Sequence, residues 1–260
     1  MDFDEKQMER YSRNMIMPDM GIEGQRKISK SRVLVIGTGG LGSPALLYLA
    51  AAGVGTLGLV DCDVVELSNL QRQVIHFTND IDKAKVESAK EKITQLNPDV
   101  SVNTYLEIAD STNILEMIKN YDFIIDGTDN FSAKFLINDA CVMTGKPFSH
   151  AGVLQLDGQT LTVIPGTSAC FRCLFPEPPP PGSTPTCSQA GILGTVAGIF
   201  GLLQATEALK YIVGTGDLLT NRLMIFNAAE MKFMDVSVNK NENCPVCGKD
   251  PTIVKLIDYE

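Results

Sequence analysis

Residues 32–42, RVLVIGTGGLG, constrain the fold more than any other stretch of this chain. The run 32–37 is apolar, too short for a helix and bounded by glycines, which reads as a buried parallel strand. Residues 42–53, with Pro44 in the first turn, read as a helix that stops at Gly53. Residues 56–61 read as a second buried strand, so strand, glycine turn, helix and strand make a βαβ unit. Within the turn, Gly37, Gly39 and Gly42 fit GxGxxG. Such glycines bring backbone N–H groups close to phosphates at a helix N-terminus. Asp61 ends the next strand, placed to accept hydrogen bonds from ribose hydroxyls. The pattern implies a bound nucleotide and leaves open whether it is a nicotinamide dinucleotide or ATP.

The alternation continues along the chain. Helices are expected over 83–96 (ended by Asn97-Pro98), 111–120 and 132–144, and strands over 101–108, 122–130 and 146–153. An N-terminal helix over 4–14 and a loop through Pro18, Gly21 and Gly24 precede the first strand. After residue 155 the texture changes to a strand over 159–165 and a hairpin over 222–227 and 232–239. Between them lies PEPPPPGSTPT (176–186), an exposed, semi-extended loop that continues neither helix nor central strand. The expected fold is α/β: a doubly wound, Rossmann-like, mostly parallel sheet extended by antiparallel strands.

A net charge of −9 argues against a nucleic-acid partner, which needs a basic footprint. Phosphate chemistry must therefore come from a local cluster of Arg and Lys. The polar N-terminus holds no apolar signal core. Residues 187–206 are uncharged, but they include Ser188, Gln189, Thr195, Gln204 and four glycines, and Glu207 follows. A membrane span wants about 20 predominantly apolar residues, so the expectation is a buried soluble helix over 189–213, no membrane association and a cytoplasmic protein. Gly191, Gly194, Gly198 and Gly201 would give that helix a groove for close packing, in the core or at a dimer interface.

Of seven cysteines, four form two CxxC pairs, Cys170/Cys173 and Cys244/Cys247. Each pair is a compact knuckle of two thiolates, and two knuckles complete a tetrahedral zinc site whose closed shell is structural. Cys62 and Cys141 sit in or beside apolar segments and read as inert core.

After Asp61 the chain offers Asn69, Arg72 and Lys85, and Asp129 ends a later strand in GTDN. Strand C-termini are where an open α/β sheet builds its site. Guanidinium and ammonium groups neutralise polyphosphate, and a carboxylate beside them can hold Mg²⁺. Hydride transfer to a nicotinamide leaves this cluster without work, and so does a non-catalytic scaffold; both stand as alternatives. His76 and His150 read as structural.

RYSRN (10–14), GTGGLGSP, LVDCDVVELSNLQRQ, KAKVESA (83–89) and DGTDN together resemble the MoeB/ThiF adenylyltransferases, relatives of the ubiquitin-activating enzymes, and the likeness runs from residue 10 to Gly248. The resemblance implies an ATP-dependent enzyme that adenylates the C-terminal glycine of a ubiquitin-like sulfur carrier ending in Gly-Gly. Adenylation of a peptide or another carboxylate is the variant within the family. Gly40 would approach the nucleotide with Gly37, Gly39 and Gly42, and Asp61 would hold its ribose. Asn69, Arg72 and Lys85 would contact phosphates, and Asp129, beside Asn130, would bind magnesium. Arg13 would reach the ATP of a neighbouring subunit, which implies a homodimer. Cys187, before Ser188 as a helix N-cap, falls where some relatives form a covalent link to the carrier. A separate sulfur donor is implied. The corresponding division is an N-terminal helical arm (1–30), a nucleotide-binding region (31–155) and a carrier-binding, zinc-containing region (156–260) packed as one domain with it.

Overall fold

In the computed structural model, residues 3–180, 183 and 187–259 are described, without the side chains of Cys187 and Ser188. Three helices lead in: α1 (Glu5–Arg10), α2 (Ser12–Met15) and α3 (Gly21–Lys30). The Asp4 carboxylate accepts the Gln7 N–H and the Gln7 side chain accepts the Asp4 N–H, a capping box that starts α1. The loop expected through Gly21 and Gly24 is helical instead. Gly24 is buried on α3 against Met20 and Val213, so a glycine that looked like a breaker serves close helix packing.

The doubly wound part follows in order: β1 (Arg32–Ile36), α4 (Gly42–Ala52), β2 (Thr56–Val60), α5 (Lys85–Leu96), β3 (Ser101–Tyr105), α6 (Ile114–Lys119), β4 (Phe123–Asp126), α7 (Phe131–Thr144) and β5 (Phe148–Leu154). The remainder is β6 (Asp157–Val163), α8 (Phe171–Leu174), α9 (Cys187–Ala190), α10 (Gly194–Val213), β7 (Arg222–Asn227) and β8 (Lys232–Ser237). One eight-stranded sheet, ordered β3-β2-β1-β4-β5-β6-β7-β8, holds all of it. Strands β1 to β5 are parallel, and β6, β7 and β8 extend them in antiparallel fashion, as the sequence implied. The change of direction at β5–β6 falls where the sequence texture changes, so the sheet runs unbroken through residue 155.

Side chains alternate across the parallel strands. Leu34 and Ile36 point into one core with Ile124, Phe135 and Phe171, while Val33 and Val35 point into the other with Leu46, Leu49 and Leu59. Helix α10 crosses the second face, packed on α4, β5 and β6. The helix expected over 189–213 is two helices, broken at Gly191 (φ +81°). Ser188 therefore lies inside α9 and does not cap the long helix. A side chain at Gly194 or Gly201 would overlap the backbone carbonyl of Gln71 or Leu41, whereas Gly198 faces open space. Two of the four glycines thus press α10 onto this chain's own turn and crossover loop. By length and apolarity α10 is the one helix among the described residues that matches a membrane span. Its buried polar groups tie it to the sheet instead: Gln204 donates to the Asp126 and Ser149 carbonyls, and Glu207 accepts from Thr162 and from the Leu219 N–H.

Candidate active site

A cavity of about 610 Å³ opens above the C-terminal ends of β1, β2 and β4 and continues over β5, β6 and β7. At its nucleotide end the glycine turn is built by backbone contact. Gly37 has φ +91°, and a methyl group at Gly42 would overlap the Gly37 carbonyl oxygen. Gly37, Gly39 and Gly40 line the cavity, while Gly42 lies beneath them and closes helix against strand. Asp61 lines it too. One of its oxygens accepts from the N–H (2.8 Å) and hydroxyl (2.9 Å) of Thr38, which locks the carboxylate to the turn.

The crossover between β2 and α5 supplies the cations. Asn69 closes its 3₁₀ turn by accepting the Glu66 N–H, and the Arg72 guanidinium donates back to the Ser68 carbonyl at 3.0 Å. Arg72 thereby lies against Gly40 in the cavity wall. Lys85, the first residue of α5, is buried and pairs with Asp63 at 2.7 Å. That ammonium holds the Asp63 carboxyl below the usual range. Asn69, expected at the phosphates, does not line the cavity; in this structure it shapes the turn that carries Arg72.

Asp129 is exposed at the cavity and accepts no hydrogen bond among the described residues. Its neighbour Asn130 caps α7 by accepting the Ala133 N–H at 2.8 Å. The turn that displays Asp129 is held from below by groups the sequence did not reveal. Asp126, fully buried at the end of β4, accepts both the N–H and hydroxyl of Thr128 on one oxygen. On the other it accepts from His150 Nδ1 at 2.8 Å and faces Lys134 Nζ at 3.3 Å. Lys134 also donates to the Thr128 and Ala151 carbonyls, both at 2.7 Å. Burial would raise the Asp126 pKa, but the Lys134 ammonium and the bonds from His150 and Thr128 hold it well below the usual carboxylate range. Burial and the same ammonium push the His150 pKa down, which favours the neutral imidazole. The signal in sequence was only a carboxylate three residues before Asp129 and a histidine in a strand; their register across β4 and β5 brings them together.

His76 is structural, as read. A carbonyl can only accept, so Nε2–H donates to Thr38 (3.2 Å) and Nδ1 accepts from the Ser88 hydroxyl (2.9 Å). Burial lowers its pKa to about 4. Cys141 is buried, and burial raises its thiol, as expected of an inert core residue. Cys62 is a correction: it is exposed at the cavity beside Asp61, because β2 ends before it. Burial of its sulfur, then Asp63 and Asp61, raise its thiol pKa. Arg13 is exposed on α2 and does not line this chain's cavity. The Cys187 side chain lies outside the described residues; its backbone opens the four-residue α9.

The two knuckles meet. Sγ···Sγ distances are 4.0 Å (Cys170–Cys173), 3.6 Å (Cys170–Cys244) and 3.4 Å (Cys173–Cys247), and all four sulfurs lie within 4.8 Å of one another. Four sulfurs at 2.3 Å from one zinc in a tetrahedron stand about 3.8 Å apart, so the cluster is compatible with zinc. Between the first two cysteines Arg172 is buried and makes a bidentate pair with Asp139 (2.7 and 2.8 Å). It also donates to the Pro176 carbonyl and to the Tyr259 hydroxyl, and lies over the Phe135 ring. The sequence reading passed over Arg172 and Asp139, which sit 33 residues apart.

A glycine turn at a strand end, the Asp61 carboxylate locked to it, Arg72 and Lys85 in the cavity wall and the exposed Asp129 carboxylate form an α/β site equipped to offset polyphosphate charge. Comparison with known proteins agrees and is narrower. Residues 11–246 match the ThiF family, and the chain belongs to it. It is 43% identical over its whole length to a sulfur carrier protein adenylyltransferase of Thermus thermophilus, covering 98% of that protein. It is 45% identical to the SAMP-activating enzyme E1 of Haloferax volcanii, again over its whole length and 96% of the relative. Among solved structures it resembles Escherichia coli MccB with ATP (TM-score 0.79, 25% identity, 92% of this chain and 73% of that one). It also resembles the microcin C7 biosynthetic enzyme MccB in complex with N-formylated MccA (TM-score 0.82, 25% identity, 92% and 75%).

Proposed function

We propose that this chain is an adenylyltransferase that joins the C-terminal glycine carboxylate of a small ubiquitin-like sulfur carrier to the AMP of ATP. The observation that carries this reading is the convergence of the glycine turn, Asp61, Arg72, Lys85 and Asp129 on one cavity in a ThiF-family chain. The turn and Asp61 would seat the nucleotide. A carboxylate oxygen of the tail forms a bond to the α-phosphorus, and pyrophosphate leaves. The carboxylate is ionised near neutrality, its free pKa being about 3.5, so no general base is needed. Attack by an anion on a polyanion makes charge neutralisation and alignment the main tasks. Arg72 and Lys85 serve the first. Asp129 is free to hold magnesium, which when bound screens the triphosphate charge.

Arg13, outside its own cavity, supports a homodimer in which it serves the neighbour's ATP. The four knuckle cysteines would hold a structural zinc that ties the C-terminal segment to the sheet. Sulfur would come from a separate donor in the cytoplasm, with Cys187 as a candidate for covalent transfer. The likeness to MccB, solved with MccA, favours a second reading in which a peptide carboxylate is the acceptor.

ATP–pyrophosphate exchange separates these readings. The expected result is exchange with a carrier ending in Gly-Gly that vanishes when the last glycine is removed. Exchange with short peptides but not with carriers would favour the second reading. No exchange with either, despite ATP binding, would overturn adenylation.

A further inference from the structure

The cavity has two arms of different chemistry. Over β1, β2 and β4 it offers the glycine turn, Asp61, Arg72 and Lys85. Over β5 to β7 its wall is mostly small and apolar, with Gly152, Val153, Leu154, Phe171 and Ile192, interrupted by Asp157 and Gln159. Among the described lining residues the cations are Arg72, Lys85 and Lys134, and Lys134 is already engaged by Asp126 and two carbonyls. The second arm therefore has no spare cation for a phosphate. It suits an uncharged, slender stretch of main chain, whose own amide groups then need partners.

One polar group in that arm is buried and rigidly held. His150 lines the cavity yet is only 1% exposed, and its ring is fixed between Asp126 and Phe171, whose ring centroid is 4.2 Å away. The Asp126 carboxylate can only accept, so the imidazole proton sits on Nδ1 and Nε2 carries a lone pair. Nε2 has no partner among the described residues. Nε2 faces the cavity as an acceptor, and a ligand N–H that leaves water behind there needs such a partner. A carboxylate or phosphate oxygen would instead meet it lone pair to lone pair.

We propose that His150 positions the acceptor's tail: Nε2 accepts a hydrogen bond from the peptide N–H of the terminal glycine, and this selects tails that possess that N–H. The inference rests on the adenylation reading. Asp126, through Nδ1, sets the tautomer and so joins the tail's register to the turn that displays Asp129.

The test is an exchange assay with wild type, His150→Ala and His150→Gln. Each is paired with a Gly-Gly carrier and with the same carrier bearing an N-methylated terminal glycine. In wild type, N-methylation should raise the KM for carrier about tenfold, the worth of one hydrogen bond in a site that cannot replace it. His150→Ala should show a similar rise with unmodified carrier and little further loss on N-methylation, with the KM for ATP unchanged. His150→Gln, whose amide oxygen can accept, should recover part of the loss, which a merely structural role would not do. Should the alanine variant fail to bind ATP, the glutamine variant supports the same cycle. An N-methylation penalty equal in wild type and variants, or none in wild type, overturns the role of His150 while exchange itself upholds adenylation. No exchange by wild type with the intact carrier overturns both.

Discussion

Helix α7 carries a buried ion pair toward each end of the molecule's chemistry, and the two are finished differently. Toward the cavity, Lys134 meets Asp126, and the cluster ends in groups left open: the Asp129 carboxylate on the turn above and Nε2 of His150. Toward the knuckles, Asp139 meets Arg172 in a bidentate pair, and the guanidinium also donates to the Pro176 carbonyl and the Tyr259 hydroxyl. Both pairs are buried. One keeps spare bonding capacity and the other is closed on itself. Spare capacity at the wall of a cavity is the mark of a place built to receive something, whereas a closed network fixes architecture.

Substitutions should separate the two ends. The largest effect is expected at Asp129. Asp129→Ala should lower exchange about a thousandfold, the scale of removing one preorganised electrostatic group, while the thermal midpoint stays put. A fall in midpoint that accounts for the lost activity would break the comparison. Next comes Arg172→Ala, which strands a buried carboxylate and should cost about 3–5 kcal/mol in urea denaturation. Exchange per folded molecule should stay within about threefold of wild type, since Arg172 touches no cavity chemistry. A large loss of turnover in folded Arg172→Ala would show that the knuckle end reaches the reaction.

The smallest effect sharpens the contrast between the two histidines. His76 has both nitrogens satisfied and is held neutral, its pKa pushed to about 4 by burial. The unfolded chain gains a proton below about 6.5, whereas the folded protein does not until about 4. The stability this neutral histidine contributes is therefore whole above pH 6.5 and lost as pH falls toward 4, on the order of 2 kcal/mol by pH 5. Denaturation of His76→Gln across that window should lack this part of the slope. An unchanged slope would assign acid sensitivity to other groups.

What was legible in the sequence follows from the range of the interactions involved. The βαβ unit and the two CxxC knuckles are local patterns, and each appears where it was expected. Asp61, Arg72, Lys85 and Asp129 come together because strand C-termini share one edge of the sheet, a rule of topology that needs no coordinates. Asp126, Lys134 and His150 were not seen as a unit, because their meeting depends on the β4–β5 register and on one turn of α7. Arg172 and Asp139 were missed for the same reason. Gly24 and Gly191 show the limit of local signals: the first lies inside a helix packed tightly on Val213, and the second breaks a helix that apolar pattern alone would continue.

The central claim, that a carrier carboxylate attacks the α-phosphorus, is tested most directly by oxygen tracing. A Gly-Gly carrier with ¹⁸O in both carboxylate oxygens is incubated with enzyme and ATP, and the acyl group is then released with hydroxylamine. The carbon–oxygen bond breaks in that release, so the account predicts AMP that carries one ¹⁸O. Unlabelled AMP, or label appearing in inorganic phosphate, would contradict it.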